Sequence, residues 1–198
     1  MLLSLALRIS RYILGTNVDY DRMETCAYGI DVFLYTVIST AGLMLLGWAC
    51  GRHIQTAILI LVYYLNQSSG GGYHADSHTK CFLTMILGLF ISIGAFCVLN
   101  LDCWINCTIA LLAVSCLWVL PVVIHPNKEY LHGKKRSISV RSRIVSALSF
   151  AFAVSISFYD HKLGEAAVMG MTMAMTSRVA AILIEKKKVK AGEQNCGE

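Results

Sequence analysis

The sequence predicts an all-α integral membrane protein, with about six transmembrane helices following an N-terminal amphipathic in-plane helix. Three observations carry that prediction. Of the 198 residues, 56% are hydrophobic and only 15% charged, against about 25% charged in an ordinary soluble domain. The apolar residues gather into long uncharged runs separated by short polar breaks. The net charge of +5 comes from Lys and Arg bunched beside those runs, which is a topology signal. Aromatics are sparse in the basic segments, and this argues against a nucleic-acid partner.

The whole chain, 1–198, reads as one membrane domain. Residues 1–29 form the amphipathic segment: Ser4, Arg8, Arg11 and Gly15 share a helical stripe. Arg8 and Arg11 fall within or after the apolar stretch, whereas a signal peptide carries its charges before it. Residues 30–184 are the helical membrane core. Its first run, 31–50, is long enough for a bilayer core of about 30 Å. After the turn Gly51-Arg52-His53, the run 54–66 is short at ~1.5 Å per residue. It crosses only with help from flanking residues, local thinning or a partly re-entrant path. Runs 81–101 and 104–124 are full-length, and Pro121 and Pro126 close the second of them. The most basic loop follows at 125–143. Run 144–158 is again short, 159–164 is a turn, 165–184 is the sixth run, and 185–198 is a charged tail.

Lys and Arg in short loops mark the cytoplasmic side. Six crossings then place both termini, the basic loop and the segment after residue 66 inside, and every loop agrees. Arg178 lies within the sixth run, where an ionisable group is a functional candidate. Its short distance from the cytoplasmic end favours snorkelling toward headgroups. Gly170 and Ala174 form a small-xxx-small pair suited to close helix packing. Of the eight cysteines, Cys50, Cys97, Cys107 and Cys116 sit inside apolar runs and are expected to behave as packing residues. Cys103 and Cys107 lack the second pair that a zinc pattern needs.

One polar island interrupts this apolar chain: Gly70-Gly71-Gly72-Tyr73-His74-Ala75-Asp76-Ser77-His78-Thr79-Lys80-Cys81. Cysteine attacks as its thiolate, and an adjacent imidazole takes the proton. His74, Ser77, His78 and Cys81 are spaced i, i+3, i+4, i+7, so a continuous helix would place all four on one face. His78 is then one turn from Cys81, while His74 is two turns away, about 10 Å. Spacing alone favours His78 as the base; His74 needs a bend. Rival uses of the island are a plain connecting loop and a metal site. His74, His78 and Cys81 would make three zinc ligands, with the fourth from elsewhere. The metalloprotease motif is not met, because Ala75 stands where that motif has Glu. Ser77 has no nucleophile elbow around it.

The glycine-rich entrance, Tyr73-His74-Ala75, and the cysteine seven residues after the histidine resemble the accessory gene regulator B (AgrB) family of bacterial membrane cysteine endopeptidases. Pro121, Pro126-Asn127-Lys128 and the basic stretch ending Arg141-Ser142-Arg143 are a weaker match. The resemblance implies that Cys81 is the nucleophile and His74 its partner, with no cofactor and no catalytic metal. His78, Asp76 and Tyr73 are supporting candidates: Asp76 to orient an imidazole, Tyr73 to hydrogen-bond an oxyanion. The implied substrate is a small precursor peptide of a quorum-sensing signal, with an amphipathic leader and an acidic tail. Cleavage releases the tail, and an internal thiol or hydroxyl closes a thiolactone or lactone. A homodimer is also what the family implies. The acidic tail gives the basic residues Lys128, Lys134, Lys135 and Arg136, together with Arg178, a docking role beside their topological one. The competing class is a non-enzymatic membrane protein that binds a metal or exports peptides.

Overall fold

A computed structural model describes residues 2–15, 20–72, 78–98, 101–123 and 135–195. Among these the chain forms seven helices and no strand: α1 (Leu2–Leu14), α2 (Tyr20–Ala49), α3 (His53–Gly70), α4 (His78–Val98), α5 (Cys103–Val119), α6 (Lys135–Tyr159) and α7 (His161–Asn195). Stretches within α2, α6 and α7 (Thr25–Ala49, Lys135–Tyr159 and His161–Lys187) are long and apolar enough to cross a membrane. Shorter apolar stretches, Cys81–Ala95 and Cys103–Val119, lie in α4 and α5. The protein is an all-α membrane protein.

The chain divides into two compact units, Met1–Leu46 and Gly47–Glu198. In the first, α1 gathers its apolar residues to one side, as expected of an amphipathic helix; Ala6 and Ser10 are buried, while Tyr12 and Ile13 are exposed. Ser10 Oγ donates to the Ala6 carbonyl at 2.9 Å, which hides its polarity in the helix's own backbone. Helix α2 begins at Tyr20, well ahead of the apolar run at 31. Its Asp31 is buried and has a polar partner.

The second unit is a bundle in which α7 packs against α3, α5, α6 and, more lightly, α4. Helix α6 shows why this is a membrane architecture. Its buried face is Ser142, Ser146, Ser149, Ala153 and Ser157, at helical spacing. Its outer face is Val140, Ile144, Leu148, Phe152 and Phe158. Small polar residues point inward and large apolar ones outward, the reverse of a soluble bundle. Lipid offers apolar residues no reason to hide, whereas small residues let backbones approach and hydroxyls bond between helices. Asn66 Nδ2 donates to Ser149 Oγ at 2.9 Å, and Trp118 Nε1 to Ser146 Oγ at 3.0 Å. Gly170 lies against the Leu59 carbonyl and Val62, so the small residue expected at this position does bring α7 onto α3. Helix α6 starts at Lys135, inside the expected basic loop, because its serines read as loop by hydropathy yet face the bundle.

Contacts fix the helix directions. Leu59 and Val62 meet Gly170, and Gly70 meets Arg178, so α3 runs parallel to α7. Asn106 bonds to His161 and Leu117 to Arg178, so α5 is parallel too. Ser142 meets Arg178 and Ser157 meets Gly164, which makes α6 antiparallel. One end of the bundle therefore gathers the ends of α3 and α5 and the start of α6. Two expectations fail here. Cys50 and Cys116 are exposed rather than packed. Arg178, far from snorkelling outward, is 1% exposed.

Candidate active site

The island is not one helix. Helix α3 ends at Gly70, and α4 starts at His78. The break is built into Gly71, whose φ of +70° suits a residue without a side chain. A Cβ there would also strike the Val123 carbonyl. The Gly71 N–H returns to the Gln67 carbonyl at 2.9 Å, and the Val123 N–H donates to the Gly70 carbonyl at 3.1 Å. The start of the island is thus stitched to the exit of α5 at 121–123.

Tyr73, His74 and Asp76 lie outside the described residues, as do Lys128 and Lys134. His78 opens α4 and Cys81 follows three residues later. Cys81 is half-buried and carries a free thiol. Around it the fold brings together residues that spacing arguments missed. Tyr63 of α3 and Ser177 of α7 are hydrogen-bonded through their side chains, and Cys81 lies within electrostatic reach of Tyr63. The neighbouring Tyr64 hydroxyl contacts the Met85 sulfur at 3.9 Å, one turn beyond Cys81. No group of three His, Cys, Asp or Glu side chains able to hold a metal occurs among the described residues.

The basic candidates separate. Lys135 and Arg136 are exposed at the start of α6, at the same end of the bundle as Gly70. Arg178 belongs to the interior. Its Nη1 donates to the Leu117 carbonyl at 3.0 Å and its Nη2 to Ser142 Oγ at 3.1 Å.

A family model, Accessory gene regulator B, matches residues 6–178. The chain belongs to the AgrB family. That span includes Cys81, His74 and the whole bundle down to Arg178, so membership rests on the fold-bearing chain and not on the island alone. No curated protein and no solved structure matches the chain. Membership in the AgrB family suggests a role in accessory gene regulator peptide processing.

Proposed function

We propose that this AgrB is a cysteine endopeptidase that removes the C-terminal tail of a small precursor peptide and hands the remainder to an internal nucleophile for ring closure. The observation that carries the proposal is the family match spanning Cys81 and His74, joined to a free, half-buried Cys81 one turn into α4, directly after a helix break. His74 takes the Cys81 proton. The thiolate attacks the carbonyl at the end of the signal segment, forming a C–S bond. The tail leaves as an amine, its nitrogen protonated by the imidazolium, and a thioester remains on Cys81. A cysteine thiol or serine hydroxyl within the peptide gives its proton to His74 and attacks that thioester. Cys81 departs as the thiolate and recovers its proton from the imidazolium, leaving a thiolactone or lactone. A site poor in water favours this ring closure over hydrolysis, since the internal nucleophile is already held close.

Six crossings, with both termini and the island in the cytoplasm, complete the proposal: Lys and Arg cluster in the loops assigned to that side. The exposure of Lys135 and Arg136 at the Gly70 end supports a docking role for them toward an acidic tail, with Lys128 and Lys134 as the further candidates. The test is co-expression with the precursor peptide. Cys81→Ala and His74→Ala should abolish tail release, while His78→Ala retains most of it. Tail release by Cys81→Ala would end the proposal, and the opposite histidine result would move the base to His78.

A further inference from the structure

Arg178 sits in a pocket created by two features of the sequence. The first is Pro121. In a regular helix the Leu117 carbonyl would accept from the N–H four residues on, and proline has none. Helix α5 ends at Val119, with the Leu120 N–H closing on Cys116 at 2.9 Å. Leu117 is left with an unclaimed carbonyl inside the bundle, and Arg178 Nη1 takes it. The second feature is Gly70. The guanidinium lies where a Cβ of residue 70 would be, and so does Ser142 Oγ. Only glycine lets the end of α3 sit on the guanidinium.

One planar group therefore touches the end of α3, the end of α5 and the start of α6 while anchored in α7. Gly70 in turn accepts from Val123, so the exits of α3 and α5 share this point. Burying the charge is costly. Moving a guanidinium out of water costs several kcal/mol after relaxation, and no carboxylate pairs with Arg178 among the described residues. Its Nε, also buried, has no partner among them. A neutral apolar side chain would fill the space without that charge cost, so stability alone does not explain an arginine here. What the fork does supply is two directed bonds at once. On the adjacent residue, Ser177 is hydrogen-bonded to Tyr63 of α3, which lies within electrostatic reach of Cys81, so this turn of α7 is tied to α3 on the side of the nucleophile.

We propose that Arg178 is a positioning residue for catalysis: it pins the origin of the Cys81 segment at Gly70 to the start of α6, which bears Lys135 and Arg136. This rests on the peptidase reading above, and it assigns Arg178 to shape rather than to docking the acidic tail. Purified protein is assayed for tail release from a synthetic precursor, per monodisperse folded molecule. Alkylation of Cys81 by iodoacetamide is followed separately by mass spectrometry. Arg178→Lys keeps the charge and loses the fork. It should lower kcat about 10–100-fold, the scale of an ångström-level misplacement, with KM little changed and Cys81 alkylated at an altered rate. Gly70→Ala should do the same. The double variant should be no worse than the worse single one, because both break one contact.

A normal rate in Arg178→Lys overturns the inference. So does a pure rise in KM, which belongs to docking, or a loss wholly explained by less folded protein. Additive effects in the double variant also overturn it. Tail release by Cys81→Ala sinks the peptidase reading instead, and the Cys81 alkylation rate still decides whether Arg178 positions that segment.

Discussion

Arg178 and Glu165 are each 1% exposed and stand on the same helix, about 20 Å apart by helix rise. Arg178 is held by directed bonds to a carbonyl and a hydroxyl, with glycine backbone closing over it. Glu165 has no such partner: its Oε1 makes no hydrogen bond among the described residues. His161, Arg52 and Lys162 lie within electrostatic reach of it and only partly offset its burial. Asn106 donates to the His161 carbonyl at 3.0 Å, the carbonyl one turn below Glu165. The Asn106 Oδ1 and Thr56 Oγ1, fully buried on α5 and α3, also lack partners among the described residues. The Gly70 end is thus defined by short, oriented contacts. The Glu165 end is defined by charge and space. A disturbance at the first should change shape, and at the second mainly the cost of burial.

The largest effect that sharpens this contrast belongs to Gly71→Ala. It forces a side chain into extended backbone of positive φ (φ 70°, ψ 176°) and against the Val123 carbonyl. The backbone strain alone is about 1–3 kcal/mol, and the displaced backbone adds to it. Thermal unfolding in detergent should show the fall, and tail release should be lost. An unaffected variant would mean that the α3–α5 stitch is dispensable.

Next comes Ser142→Ala. It removes one acceptor from the guanidinium, a loss of about 1–3 kcal/mol for a buried bond to a charged group. Tail release should drop by less than in Arg178→Lys, because the Leu117 bond survives. If Ser142→Ala equals Arg178→Lys, the serine rather than the fork carries the positioning.

Smallest is Glu165→Gln. Replacing an unbonded buried carboxylate by its neutral isostere should move stability by no more than about 1 kcal/mol and leave tail release intact. A collapse of activity in this variant would break the comparison, since both ends would then govern the site.

Much of this molecule could be read along the chain, where the signal is local. The island ends α3 because three glycines supply backbone freedom, and Pro121 ends α5 because it lacks a donor. The amphipathic start and the apolar runs follow from composition and period. Helix boundaries were less legible where hydropathy and burial part company. The first turns of α6 look like loop because they are basic and serine-rich, yet Ser142, Ser146 and Ser149 face the core. In lipid the inner face of a helix need not be its apolar face.

The site shows the same division. Cys81 and the histidines stand out by residue type, because few groups can act as nucleophile and base. Tyr63 and Ser177, drawn from helices far apart in sequence, do not, because only packing makes them neighbours. For Arg178 the sequence by itself determined that a charge lies in an apolar run, that Pro121 strips a donor from α5, and that Gly70 is small. Only the tertiary structure decided that these three facts meet. The parallel course of α3, α5 and α7 brings an orphaned carbonyl, a bare backbone and a guanidinium to one level. The guanidinium stays inside there, with both terminal nitrogens bonded where they stand.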